Sequence, residues 1–282
     1  MAELNVADCL RMASRLSQSD TARLDVELLL SHLLKKNRTF LFTWPEHLLT
    51  PAESKMFVSL LARREAGEPI AHIIGEREFW SLPLSVDAST LIPRPDTELL
   101  VETLLRLMPE TKVRSCLDLG TGTGAIALAV ASEKPHWQID AVDYSQDAIA
   151  LAKRNGEKLG LNNISFFRSD WFSHVAAKKF DVIVSNPPYI DPEDPHLNQG
   201  DVRFEPRSAL IANNHGLADI EHIITSSTHY LAAHGWLLLE HGYDQAAAVN
   251  ELLVKQGFSR VECVQDYGGN DRISIGQWCA GE

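Results

Sequence analysis

Up to about residue 75, apolar side chains recur every three to four positions, the period of helices that bury one face. Val6, Leu10, Ala13 and Leu16 share one face, and Leu24, Leu28 and further leucines up to Leu34 continue the pattern. Thr50-Pro51-Ala52-Glu53 reads as a capping box with proline at the first helical position. Lys35-Lys36-Asn37-Arg38 is a short basic run and reads as a solvated loop. Beyond residue 75 the period changes. A β-hairpin is expected from Glu78 to Val86, punctuated by Ser81, Pro83 and Ser85, and Pro93 to Pro95 make a stiff connector into a helix from Thr97 to Met108. Short apolar runs then alternate with helical stretches. Strands are expected at Val113 to Leu119, Gln138 to Val142, Ile164 to Arg168, Phe180 to Ser185, Trp236 to Glu240, Arg260 to Val264 and Arg272 to Gly276, with later helices over 217–230 and 245–256. Strands and helices in alternation predict an α/β fold with a largely parallel, doubly wound sheet. The last two strands are separated only by a glycine-containing loop, so they should form an antiparallel hairpin at the sheet edge.

The first strand runs into Gly120-Thr121-Gly122-Thr123-Gly124 and then a helix marked by Ile126, Leu128, Ala129 and Val130. Strand, glycine loop and helix form the opening unit of a nucleotide site. The spacing departs from the dinucleotide fingerprint, whose third glycine stands one residue later and whose pyrophosphate rests on the helix N-terminus. Tight alternating glycines instead let the backbone approach a ligand without a diphosphate, such as S-adenosylmethionine. The second strand ends in Asp143, about 20 residues past the glycines, where an acid takes ribose hydroxyls. Asp118 either holds the loop or reaches the amino-acid end of the ligand through water. Asp170 is placed to accept from an adenine amine, and Trp171 to line the ring.

Asn186-Pro187-Pro188-Tyr189 follows the fourth strand. Each proline fixes its own φ, donates no N–H and forces the preceding residue into extended geometry. The Asn186 amide and the Asn186 and Pro187 carbonyls are then presented at a strand end, where open α/β sheets bind ligands. A planar –NH2 group can donate to the Asn186 side-chain oxygen and to a proline carbonyl, with Tyr189 over its flat face. An ordinary strand-ending turn is the alternative, because Asn-Pro is a common turn signal. Asp191 to Arg207 is rich in Pro, Asp and Asn, and a loop of that length next to such a clamp is a candidate lid.

With these features in view, the chain resembles the HemK/PrmC protein-glutamine methyltransferases. The resemblance is carried by Gly67-Glu68-Pro69-Ile70-Ala71-His72, Arg77-Glu78-Phe79-Trp80, Leu91-Ile92-Pro93-Arg94-Pro95-Asp96-Thr97-Glu98, Asp118 to Gly124, Asn186 to Tyr189, and Arg203-Phe204-Glu205-Pro206. It implies a class I S-adenosylmethionine-dependent methyltransferase with a Rossmann-like seven-stranded sheet, a small N-terminal helical bundle and a β-hairpin linker. The implied domains are 1–75 for docking of the substrate, 76–92 for the linker and 93–282 for methyl transfer. It further implies methylation of the glutamine in the Gly-Gly-Gln motif of class 1 peptide chain release factors, with S-adenosylhomocysteine as product. Gly120, Thr121, Gly122, Thr123, Gly124, Asp143, Trp171 and Asn186 would bind the cofactor. Asn186, Pro187, Pro188 and Tyr189 would bind the target glutamine, with Asn186 as the catalytic residue.

Composition narrows the choice of partner. Hydrophobic residues make up 45% of the chain and charged residues 23%, values of an ordinary globular protein. A formal net charge of −12 argues against a broad grip on nucleic acid, which relies on Lys and Arg neutralising phosphates. The rival reading, an adenine exocyclic-amine methyltransferase, would use the same clamp on a flipped base but calls for a basic face or a recognition insert. A non-catalytic S-adenosylmethionine-binding module would have no use for the clamp. The four cysteines, Cys9, Cys116, Cys263 and Cys279, form no Cys-x-x-Cys pair and read as reduced thiols of a cytoplasmic protein. Glu3 and Asp8 interrupt the first residues, so no secretory signal is expected, nor any membrane span. Eleven histidines show no metal spacing; His241, beside Glu240, reads as structural, and no metal is expected.

Overall fold

The computed structural model describes residues 4–109 and 112–279; Glu3 lies outside them. The chain divides into two compact units, Met1–Glu76 with Asn198–Phe204, and Arg77–Leu197 with Glu205–Glu282. The return of residues 198–204 to the first unit was not foreseen from the sequence.

The first unit is helical: α1 (Val6–Arg11), α2 (Ala22–Leu34), α3 (Arg38–Thr43), α4 (Pro51–Glu65) and α5 (Ile70–Ile74). Reciprocal capping boxes start α1 (Asn5 with Asp8) and α4 (Thr50 with Glu53), each satisfying backbone donors that a helix start leaves open. The face expected for α2 is rotated. Val26, Leu29 and Leu30 are the fully buried residues, and Leu24 is exposed. The rotation buries two carboxylates, which must be paired. Glu27 takes Arg23 at 2.8 Å and Arg38 at 2.6 Å; Lys35 to Arg38 are all exposed, as expected of a solvated run, and Arg38 is also an anchor. Asp25 accepts from Ser19, Thr21 and Arg64, and Arg64 also reaches Asp201 at 2.9 Å, tying residues 198–204 to this unit.

The second unit opens with the hairpin β1 (Glu76–Phe79) and β2 (Leu82–Ser85), turned by Trp80 and Ser81 at φ 52° and 59°, the left-handed pair that a two-residue hairpin turn demands. A 3₁₀ turn at Pro95–Thr97 leads into α6 (Glu98–Leu107). There follow β3 (Ser115–Leu119), α7 (Ala125–Glu133), β4 (Gln138–Asp143), α8 (Gln146–Leu159), β5 (Ile164–Arg168), β6 (Phe180–Ser185), α9 (Ala218–Ser227), β7 (Leu231–Glu240), α10 (Ala246–Gln256), β8 (Phe258–Gln265) and β9 (Asp271–Trp278). The seven-stranded sheet has the order β5-β4-β3-β6-β7-β9-β8. Its first five strands are parallel, and β9 runs antiparallel to both β7 and β8, giving the expected terminal hairpin. The strand order reverses direction between β3 and β6, so the C-terminal ends of these strands bound the crevice where such sheets take ligands.

Two apolar layers flank the sheet. One gathers Leu100, Leu104, Leu128, Val130 and Trp137; the other gathers Ile220, Ile223, Ile224, Val249 and Leu253. The helix α7 is buried on nearly every side, as its unbroken apolar sequence requires. β7 starts five residues earlier than expected, because His234 at φ 64° and Gly235 break the alternation that marks a strand. Residues 191–209 contain three short 3₁₀ turns, Pro195–Asn198, Gly200–Phe204 and Arg207–Ala209, joined by irregular chain. None of the helices among the described residues is long and apolar enough to cross a membrane.

Candidate active site

The glycine loop leaves β3 and folds tightly over its end. Gly120, Gly122 and Gly124 take φ of 71°, 55° and 84°, a left-handed region that costs other residues energy. At Gly124 space is limiting as well: a Cβ would stand 3.0 Å from Leu128 and 3.2 Å from Ala152. Two carboxylates fix the loop. Asp118, fully buried, accepts from the Thr121 hydroxyl at 2.6 Å, the loop-holding contact expected of it, and is not among the residues lining the cavity. Burial pushes its pKa up to about 7 against the hydrogen bonds from Thr121 and the Ala127 N–H. Asp143 accepts from the Gly122 N–H at 2.9 Å through Oδ2 and from the Ser145 N–H at 2.8 Å through Oδ1. Burial raises its pKa and those two N–H groups oppose the rise. Asn155, fully buried, links the loop to the hairpin: its Nδ2 donates to the carbonyls of Thr123 and Ser85, and its Oδ1 accepts from the Ser85 N–H.

A cavity of about 270 Å³ opens at these strand ends. Gly120, Thr121, Gly122, Thr123, Asp143, Trp171, Asn186 and Pro188 line it, with Leu91, Ala125 and Ile126 among its apolar wall. Gly124, Pro187 and Tyr189 do not. Gly124 caps α7 from beneath, and Pro187 is buried. Tyr189 is anchored away from the cavity: its hydroxyl donates to Glu240 Oε1 at 3.3 Å, and its carbonyl accepts from Gln245 Nε2 at 3.0 Å. The expectation that Tyr189 covers a planar amide therefore does not match its position here. Burial and the neighbouring Glu240 push its pKa up, far above use as a base at neutral pH.

Thr97 and Asp219, which had no expected part in the site, also line the cavity. Asn186 Nδ2 donates to Thr97 Oγ1 at 3.2 Å, which turns its Oδ1 to the other side. Trp171 stands at φ 45°, and its indole N–H hydrogen-bonds Asp219, a cavity-lining carboxylate whose pKa burial raises. Asp170 also lines the cavity beside it. Glu205, with no side-chain exposure, accepts from the Ile92 N–H at 2.9 Å and from Arg94 at 2.6 Å. That contact ties the Pro-Arg-Pro-Asp-Thr-Glu stretch to the Arg-Phe-Glu-Pro stretch. His241 is buried between Ser274 Oγ and the Gly242 carbonyl; burial lowers its pKa, and the Gly242 hydrogen bond opposes the fall.

Residues 9–75 match the PrmC N-terminal domain, and residues 95–201 match the methyltransferase small domain. The release factor glutamine methyltransferase of Escherichia coli is 53% identical over 265 residues, covering 94% of this chain and 95% of its own. The chain belongs to that family. The Pseudomonas aeruginosa enzyme of the same name is 54% identical over 94% of this chain and 96% of its own, and the Shewanella oneidensis enzyme 53% over 93% and 91%. Solved structures share the fold. A methyltransferase from Pyrococcus furiosus superposes with a TM-score of 0.55 at 19% identity over 78% of this chain and 98% of its own. The hMettl16 catalytic domain gives 0.58 at 18% identity over 84% and 86%. Methyltransferases of this fold are S-adenosylmethionine-dependent, and the polar groups of the cavity lining, the Asp143 carboxylate, the Trp171 indole and the Asn186 carboxamide, are of kinds that fit such a cofactor.

Proposed function

We propose that this protein transfers a methyl group from S-adenosylmethionine to the side-chain amide nitrogen of the glutamine in the Gly-Gly-Gln motif of a class 1 peptide chain release factor. The observation that carries the reading is the meeting, in one cavity, of the glycine loop and Asp143 with Asn186, whose Nδ2 is engaged by Thr97. Gly120 to Thr123, Asp143 and Trp171 are assigned to the cofactor; Asn186 and Pro188, with the Pro187 carbonyl, to the glutamine; and Gly124 and Tyr189 to holding these in place. S-adenosylmethionine supplies, when bound, an electrophilic methyl on a sulfonium.

The chain itself needs few ionisable groups. An amide nitrogen is a weak nucleophile because its lone pair is delocalised into the carbonyl. Asn186 Oδ1 and the Pro187 carbonyl accept its two hydrogens, which aims the nitrogen and sets negative dipoles beside an atom that becomes positive. Fixed dipoles and positioning together lower the barrier without reorganisation. The nitrogen becomes acidic as it is alkylated and gives its proton to water, so a strong base is unnecessary.

The helical unit is assigned to docking the protein substrate. Phe42, Trp44, Leu48 and Met56 on it are more than half exposed and offer apolar contact. Cys9, Cys116, Cys263 and Cys279 are all free thiols, which suits work in the cytoplasm. The test is methylation with radiolabelled S-adenosylmethionine of a purified release factor, of the same factor with its Gly-Gly-Gln glutamine changed to alanine, and of DNA and RNA. Label on the first alone supports the reading. Label on nucleic acid, or on the altered factor to the same extent, overturns it.

A further inference from the structure

The segment from Asn186 to Tyr189 has few means of holding itself still. Pro187 and Pro188 have no N–H, so neither donates a hydrogen bond beyond the end of β6. The Asn186 side-chain oxygen and the Pro187 carbonyl are assigned to the target amide and must stay open to it. Anchorage therefore falls on the two ends of the segment. At one end Ser185 still belongs to the sheet, in register with Leu119 and Leu239. At the other end stands the Tyr189 carbonyl.

Gln245, at the start of α10, takes that carbonyl. Its Oε1 accepts from the Gly242 N–H at 2.8 Å, in the turn after β7. Its Nε2 donates to the Tyr189 carbonyl at 3.0 Å and to the His215 carbonyl at 3.1 Å. One partner is a backbone donor and two are backbone acceptors, so a single orientation of the carboxamide satisfies all three. Both segments held by the –NH2 group lead into the cavity wall. Asn186 and Pro188 come just before Tyr189, and Pro206, Ser208 and Ala209 come a few residues before His215. Ile190 stitches the same two segments together: its N–H donates to the Leu210 carbonyl at 2.9 Å, and its carbonyl accepts from the Ala212 N–H at 3.1 Å. Gln245 closes that seam and is not itself among the residues lining the cavity. We propose that Gln245 is a positioning residue for methyl transfer, holding the glutamine clamp and the wall at 206–209 together through the Tyr189 and His215 carbonyls. The proposal rests on the assignment of Asn186 to Pro188 to the target glutamine and adds what keeps that segment in place.

The other anchor of Tyr189 is the weaker one. Its hydroxyl lies 3.3 Å from Glu240 Oε1, long for a bond between two oxygens. A glutamate in place of Gln245 would have the same shape and the wrong chemistry. An ionised carboxylate only accepts, so it would keep the Gly242 N–H and set an oxygen against two carbonyls. Adding a proton would return one donor. The charged groups near this position are Asp244, beside it in sequence, Glu240 at the end of β7, and His215, which pairs with Asp191 at 2.9 Å. All of them are shared with the wild type.

Single-turnover methylation of a purified release factor at saturating S-adenosylmethionine, with cofactor affinity from calorimetry, tests this on the full chain. Gln245→Met keeps the length and loses the amide; it should slow methyl transfer about 10–100-fold, with cofactor affinity within about twofold. Gln245→Glu should be at least as slow at about pH 8. Its rate relative to wild type should rise about fivefold or more between about pH 8 and about pH 5.5, as the acid regains a proton for the Tyr189 carbonyl. The same ratio for Gln245→Met should stay flat. A wild-type rate in Gln245→Met overturns the proposal, and so does a ratio for Gln245→Glu that does not change with pH. Cofactor affinity that falls in step with the rate in both variants would mean general slackening of the fold, and overturns it too. Asn186→Ala run in parallel separates the two levels: if it is slow while Gln245→Met is fast, only the positioning idea fails, and if it is as fast as wild type the clamp fails as well.

Discussion

Asp143 faces two tasks, and changing it to asparagine separates their costs. Its oxygens accept from the Gly122 and Ser145 N–H groups at 2.9 and 2.8 Å while the side chain borders the cavity. Asn offers one oxygen and one NH2, so one backbone N–H must face another donor. A charge-assisted hydrogen bond is worth about 1.5–3 kcal/mol, and stranding a buried N–H costs about 1–3 kcal/mol. Against this stands relief from burying a charge, visible in the raised pKa of the acid. The net loss should be about 2 kcal/mol, which lowers the melting temperature by roughly 4–8 °C for a unit of this size. Binding suffers separately. Losing the ionised acceptor for ribose hydroxyls should weaken S-adenosylmethionine by about 1.5–3 kcal/mol, roughly 10–150-fold. Scanning calorimetry on the cofactor-free protein reads the first effect, and titration calorimetry below the melting point reads the second. A variant that melts with the wild type refutes the loop-holding role, and one that binds S-adenosylmethionine normally removes Asp143 from the ribose.

Asn186→Ala should lower turnover by roughly 10²–10³-fold, as loss of one preorganised electrostatic contact does, with the prolines keeping the chain in place; stopped-time assays on the release factor measure it, and an unchanged rate would reduce the segment to a turn. Gly216→Ala would put a Cβ 2.0 Å from the Tyr189 carbonyl at φ +82°, so it should cost upward of ~2 kcal/mol in urea unfolding and slow methyl transfer more than it weakens the cofactor. A wild-type urea midpoint would contradict the close approach. Asp118 has a folded pKa raised to about 7 from 3.8, so the native state holds its proton longer than the unfolded chain. Its contribution to stability is full below about pH 4 and is lost as pH rises through about 7, a fall of about 4 kcal/mol at most. Asp118→Asn should remove that part of the pH dependence between about pH 4 and 8, and identical urea curves for both proteins across that range would refute it.

Legibility in the sequence followed the separation of the interacting residues. The glycine loop, Asp143 and Asn186 each sit at the end of a contiguous apolar run, so strand, turn and chemistry are read together from a few neighbouring positions. The order of the sheet follows from the same alternation. Thr97, Glu205, Asp219 and Glu240 act through side chains that meet residues far away in the chain, and nothing local distinguishes them from an ordinary cap or strand end. Leu24 misled for a related reason: hydrophobic period alone places it inward, but the pairing of Asp25 and Glu27 with arginines decides which face of α2 is buried. Tyr189 follows the same logic, since a buried carboxylate and Gln245 draw it from the cavity.

The helical unit is not encoded as a single block. Its closing piece, Asn198–Phe204, is written about 120 residues downstream of the rest, inside the span that encodes the sheet. Arg64 depends on Asp201 there, and a Cβ on Gly67 would stand 2.0 Å from Arg203. Heredity and engineering both meet this arrangement. Recombination between relatives at a junction near residue 76 brings together halves of a unit that were shaped by different histories, and a polar pair such as Arg64 and Asp201 must then survive by chance. A working hybrid has to exchange both stretches together, so the insert and the N-terminal helices should be inherited as one module despite their distance along the gene.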